Sequence, residues 1–273
     1  MESAVILGVY DFIGYSLCRS LLDNGVEIEG VHIAGDSFFT EEKRMEIGRN
    51  ANFSEITFRE WKTSGADDLM IISLYEHLNK KEKREQFHKD LMGKLENLNR
   101  SNQRLVFILP AYLALKQDKS ANFDHDLLRF IEKKDFSVLE IYVPTIYGPW
   151  QPDAYFFQQS LNNLQKGSGT PQLADWEWTH DALFIDDAVN TIIEIAESCK
   201  TGKYFLKSGE NNQWLKCAEK LLGDQAGSIL KHNGETPEIK DFIKVRLLKS
   251  NEKISLGLTK QKEQYSRIKE SRG

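Results

Sequence analysis

The chain has 273 residues, 40% of them hydrophobic and 28% charged, and a formal net charge of -5. That length buries a substantial core, as one large domain or as one domain with a smaller lobe. A mean hydropathy of -0.48 and a pI near 5.8 give no bulk pull toward nucleic acid, and no apolar run approaches the roughly 18 residues that suggest a membrane span.

The N-terminus, MESAVILGVYDF, is too short in its apolar part and too acidic at its start for a secretory signal, so the expected location is the cytoplasm. SAVILGV is a short apolar run ending in Gly8 and predicts a strand. In DFIGYSLCRSLLDNG, residues Ile13, Leu17, Leu21 and Leu22 recur at helical spacing, and Asn24-Gly25 supplies a stop. VEIEGVHI then alternates toward a second strand, which makes strand, helix, strand within about thirty residues, the size of a parallel crossover unit.

Further apolar strands are predicted at DLMIISLY (68–75), RLVFIL (104–109) and SVLEIYVPTIYG (137–148). They are separated by charged helix-like segments such as FHKDLMGKLENLNR and FDHDLLRFIEKK. The alternation predicts a doubly wound, mostly parallel α/β sheet of Rossmann type, with ligands beyond the C-terminal strand ends. The basic patch NKKEKREQFHK (79–89) is interleaved with Glu82 and Glu85 and reads as a solvated helix face.

After residue 149 come aromatic and Gly-rich connections (150–180), a helix IDDAVNTIIEIAESC, a strand KYFLKSG, a helix NQWLKCAEKLLG and a charged tail. The expected division is a nucleotide-binding-type core over 1–150 and a smaller lobe mainly over 151–273, with 180–208 returning to the core. Trp150, Phe156, Phe157, Trp176 and Trp178 either line a pocket or pack the lobe on the sheet. Cys18, Cys199 and Cys217 have no C-x-x-C or zinc-ligand spacing and read as reduced structural thiols, and no metal motif is present.

Four stretches, GVYDFIG with EIEGVHI, VPTIYGPWQP (143–152), HDALFIDDAVNTIIEIAES (180–198) and GKYFLKSGENNQWLKCAEKL (202–221), resemble landmarks of the extended short-chain dehydrogenase/reductase family. They match the NAD-dependent sugar-nucleotide epimerases and dehydratases in order and nearly in spacing, and NEKISLGL (251–258) resembles a weaker C-terminal motif. The resemblance implies NAD or NADP as cofactor, a nucleotide or nucleotide sugar as small-molecule ligand, and a homodimer formed by core helices near FDHDLLRFIEKK. In FIDDA, Asp186 and Asp187 match a motif that fixes the substrate lobe, or else cap a helix.

Three working parts of that family depart from its pattern. The phosphate loop G-x-x-G-x-x-G keeps Gly8 and Gly14 but has Asp11 at its middle glycine, an anion where backbone should meet pyrophosphate. Gly8, Asp11, Phe12, Ile13 and Gly14 are therefore the cofactor-loop residues, and Asp11 argues against tight dinucleotide binding. His32 stands where an acidic residue would meet the ribose. The Tyr-x-x-x-Lys spelling occurs as Tyr112 to Lys116, but just after RLVFIL, where Leu109-Pro110 replace the family's Ser or Thr. The expected tyrosine position falls in 116–126, where Phe123 is the nearest aromatic and Leu127 follows it instead of lysine.

These departures predict a degenerate member without redox catalysis that binds a small ligand or a protein partner. The alternative is an active NAD(P)-dependent nucleotide-sugar epimerase, dehydratase or reductase using Tyr112 and Lys116. A third reading is an NADP(H) reporter with His32 near the ribose phosphate.

Overall fold

The computed structural model describes residues 1–33, 39–62, 69–76, 81–98, 104–116, 123–134, 136–167, 169–174, 176–223, 226, 237–249 and 252–272, without the side chains of 81–84, 123–125, 166, 271 and 272. Part of the 79–89 patch and most of the 116–126 segment thus lie outside the described residues, although Phe123 is placed as the first residue of a helix.

The first crossover is β1 (Ser3–Leu7), α1 (Phe12–Asp23) and β2 (Glu27–His32). There follow α2 (Thr40–Ile47), β3 (Phe53–Thr57), β4 (Leu69–Ser73), α3 (Lys81–Glu96), β5 (Arg104–Pro110), α4 (Phe123–Glu132) and β6 (Ser137–Val143). The later part comprises β7 (Thr145–Tyr147), α5 (Phe156–Lys166), β8 (Ala182–Phe184), α6 (Ile185–Ser198), β9 (Gly202–Lys207), α7 (Gln213–Leu222), β10 (Lys244–Leu247) and α8 (Ile254–Arg272).

Eight strands form one sheet in the order β10-β9-β6-β5-β4-β1-β2-β3, with every described pairing parallel, and β7 pairs with β8 in a separate ribbon. The chain therefore has the doubly wound, Rossmann-like fold. Central β4 reads LMIIS and is buried at every position, because helices cover both faces. On one face Leu17, Ile192, Trp214 and Leu258 share a core with the strands, and on the other Leu91, Leu95, Leu127 and Ile131 do so.

Four elements lacked a sequence signal. In α2 only Lys43 and Ile47 are buried, so no apolar stripe marks it. β3 and β10 are short outer strands with mostly surface-facing residues, and the charged tail is the helix α8. Cys18 and Cys217 are buried, Cys199 is partly so, and all three are free thiols. No helix among the described residues is long and apolar enough to cross a membrane.

Candidate functional site

Strand order reverses between β1 and β4, which is where ligands bind in open sheets of this kind. The turn from β1 into α1 keeps the backbone of a phosphate loop. Gly8 sits at φ 78°, a region glycine enters without strain, and Asp11 N–H donates to Gly8 O at 2.8 Å. A Cβ on Gly14 would collide with the Gly8 carbonyl, so helix and strand approach as closely as this loop requires. Phe12 and Ile13 form the first turn of α1 and are buried.

Asp11 occupies the N-cap position without a side-chain capping bond, and its Oδ2 stands against the place a Cβ on Gly8 would take. The carboxylate thus folds back over the glycine turn. A second carboxylate arrives from the loop after β4: Ile13 N–H donates to Glu76 Oε1 at 3.1 Å, and the Phe12 amide also favours the ionised form of Glu76. Helix N-termini attract anions through free amides and the helix dipole, so Glu76 sits where the fold offers its anion site. Desolvation, with Asp11 adding repulsion, pushes the Glu76 carboxyl up to about 8.

The compensating cation is Lys43 of α2, which is 2% exposed. Its Nζ donates to Tyr10 O at 2.7 Å and lies 5.5 Å and 5.8 Å from the ring centroids of Tyr15 and Trp150. Burial lowers its pKa, while the Glu76 and Asp11 charges act to raise it. Phe39, just before α2, meets Trp150 and Tyr265 edge to face, which closes an aromatic cover over this cluster.

At the end of β2, His32 Nδ1 is 3.9 Å from Glu55 Oε1, and its ring meets Tyr10 edge to face. Arg44 grips Glu55 with two nitrogens at 3.0 Å and 2.8 Å, and Tyr10 OH donates to Glu55 Oε2 at 2.7 Å. The Arg44 guanidinium holds the Glu55 carboxyl below its ordinary range. His32 therefore borders a protein-to-protein network.

Tyr112 lies in a 3-10 turn, Ala111–Ala114, and Leu115 is extended at φ -79°, ψ 146°. That backbone does not carry positions i and i+4 on one helical face. Lys116 Nζ instead reaches Asp241 at 2.8 Å and Glu238 at 3.3 Å, which raise its pKa. The run 238–240 pins this segment, with Lys116 N–H donating to Glu238 O and Lys240 N–H to Ala114 O. Tyr112 lines a cavity of about 10 Å³ with Tyr75, Thr145, Trp176 and Trp178, which is room for a single water. Beside it, Glu177 accepts from the Phe156 amide at 3.0 Å at the start of α5, and burial pushes its carboxyl up to about 7.

Trp150, Phe156 and Phe157 are packed inside, the last two against Trp214, whereas Trp176 and Trp178 border the small cavity. Asp187 accepts from Glu252 N–H at 2.6 Å and so ties the approach to α8 onto α6, while Asp186 pairs with Arg19 at 3.7 Å. Glu76, Lys43, Arg44 and Glu55 were not singled out from sequence. The available signal was topological: β4 lies beside β1, so an acid three residues past β4 falls next to the loop past β1. Among the described residues no group of three or more His, Cys, Asp or Glu is placed to hold a metal.

Neither protein-family models nor curated proteins gave a match to this sequence. Solved structures did. UDP-glucuronic acid 4-epimerase from Bacillus cereus, in complex with NAD, superposes with a TM-score of 0.65 at 14% identity, covering 98% of this chain and 99% of that one. dTDP-glucose 4,6-dehydratase from Bacillus anthracis str. Ames, in complex with NAD, gives 0.65 at 13% identity, covering 99% and 98%. The Bordetella bronchiseptica enzyme WbmF, with NAD+ and UDP, gives 0.61 at 16%, covering 97% and 92%. The chain thus shares the fold of these NAD-bound epimerase, dehydratase and WbmF structures, the doubly wound fold that the sequence landmarks implied.

Proposed function

We propose that this chain keeps the epimerase/dehydratase scaffold without its redox chemistry and acts by binding a small ligand or a protein partner. The observation that carries this reading is the Glu76 carboxyl on the Ile13 amide at the start of α1, beside Asp11 and with Lys43 buried nearby. The residues present do not fit a dinucleotide. A pyrophosphate at the same amides would have to displace the Glu76 carboxyl and would lie beside the Asp11 carboxylate, and two like charges about 4 Å apart repel by about 4 kcal/mol at an effective dielectric of 20. The ribose side holds the His32–Glu55–Arg44 network, and the cavity at Tyr112 is far below the several hundred Å³ of ordinary ligand pockets.

Native mass spectrometry and calorimetry with NAD, NADP and their reduced forms test the reading, and the expected result is no adduct and no saturable heat. Saturable NAD binding by the unmodified chain would overturn it. In the variant Asp11→Gly with Glu76→Ala, both acidic side chains leave while the Gly8–Gly14 backbone stays, so dinucleotide or inorganic pyrophosphate binding is expected to appear.

The second reading is an active nucleotide-sugar epimerase, dehydratase or reductase, favoured by the place of Tyr112 at the cavity beside the ends of β5 and β6. It requires turnover of a nucleotide sugar that Tyr112→Phe abolishes without unfolding. A homodimer would use the helices α3 and α4, which pack side by side, and sedimentation equilibrium reads it.

A further inference from the structure

We propose that the outer edge of β10 is a docking strand for an extended acidic segment of a partner protein, which joins the sheet as one more strand. The proposal rests on the preceding reading only in treating the chain as a binding scaffold.

Among the described residues β10 pairs on one side alone, with β9. Leu248 N–H donates to Lys207 O at 2.9 Å, so by the alternation of a strand Val245 and Leu247 turn their N–H and C=O groups outward. The same edge is apolar: Phe242, Val245 and Leu247 are 64%, 51% and 55% exposed. Register places Val245 beside Phe205, a member of the core on the α3 and α4 face, so Val245 and Leu247 prolong that face past its cover. Exposed apolar side chains gathered beside free backbone groups mark a surface that takes another chain.

Charge selects the occupant. On the opposite face of β10, Arg246 and the nearby Lys249 share one carboxylate, Glu194, at 2.6 Å and 2.9 Å. Lys244 stands 6.0 Å over the Tyr204 ring with no carboxylate partner among the described residues. The acids just before the strand, Glu238 and Asp241, are turned to Lys116. Among the described residues this edge therefore carries surplus positive charge, on a chain whose net charge is -5. Two copies paired edge to edge would bring these cations together, and like charges across paired strands are destabilising. An extended segment alternating Val or Ile with Asp or Glu sets its apolar side chains on Val245 and Leu247 and its acids toward Lys244 and Arg246.

The test is fluorescence anisotropy with a labelled peptide of alternating Glu and Val or Ile, against the same peptide with Lys for Glu. Saturable binding of the acidic peptide is expected, with little for the basic one. Lys244→Glu and Leu247→Lys, both at exposed positions and checked by circular dichroism, are each expected to weaken it about tenfold or more. Val245→Pro, which removes an outward N–H, should abolish it. Absence of saturable binding, equal binding of the basic peptide, or indifference to Lys244→Glu and Leu247→Lys overturns the proposal. So does concentration-dependent dimerisation lost in Val245→Pro, which would assign the edge to a second copy. The peptide titration reads β10 and the dinucleotide titration reads α1, so either can fail without the other.

Discussion

Glu76 holds its proton more tightly in the folded protein than in the unfolded chain, because desolvation and Asp11 both disfavour its ionised form. The folded state is therefore favoured at low pH, and that contribution is lost as pH rises from the ordinary carboxyl value of 4.5 through about 8. Glu76→Gln keeps an oxygen for the Ile13 amide and cannot ionise. Its Tm is expected to vary less with pH across that window than the parent's, and parallel curves would contradict the inward carboxylate. Lys43→Met removes the Nζ–Tyr10 O hydrogen bond and the positive charge that Glu76 and Asp11 favour, and a buried polar group left without its partner costs about 1–3 kcal/mol. Urea denaturation should show that loss, and a smaller one when Glu76→Gln accompanies it, since the two residues are coupled. The two glycine predictions have opposite signs. Gly14→Ala forces a Cβ into the Gly8 carbonyl and should cost about 1–3 kcal/mol, whereas Gly93, with open space around it inside α3, should accept Ala with a gain of about 0.5–1 kcal/mol.

Two helices, α2 and α8, pack around the Asp11, Glu76 and Lys43 cluster and its aromatic cover. α2 sets Lys43 over the turn after β1 and Arg44 on Glu55 of β3, while α8 joins the aromatic cover through Tyr265 and holds the turn after β7 through buried Gln261. Gln261 accepts from Gly148 N–H at 2.9 Å and donates to Gln151 and Gln158 at 2.8 Å each. Gln261→Leu fills a similar volume but strands the Gly148 amide and deprives two glutamines of a partner. Each buried polar group left unsatisfied costs about 1–3 kcal/mol, so a clear drop in Tm is expected. Gly257→Ala probes the same helix, because its Cβ would come within 2.9 Å of Phe184 and Tyr147. Neither α2 nor α8 carries a sustained apolar stripe, and for that reason neither was legible in the sequence, although α8 falls partly on the weak motif NEKISLGL.

At the scale of the whole molecule, one continuous core joins the sheet to the later segments, with Val9, Ile141, Trp214, Leu258 and Tyr265 all in it. Calorimetry should accordingly show a single unfolding transition, and two separated transitions would mean that this core does not couple the parts. The sequence by itself determined the doubly wound sheet and the place of the glycine turn between β1 and α1. The reason is that local signals, apolar runs of strand length, helical spacing in α1 and the glycines of the turn, are written in consecutive residues. It also set Asp11 at the middle position of the glycine turn and Tyr112 and Lys116 just past the strand RLVFIL. Only the tertiary structure decided that Glu76 lies on the Ile13 amide at the start of α1 and that Lys43 is buried nearby. Only it placed Lys116 against Asp241 and left β10, among the described residues, paired on one side alone. Those facts depend on which strand ends become neighbours across dozens of residues, and a charged side chain in a polar stretch has no periodic signature of the partner it will meet.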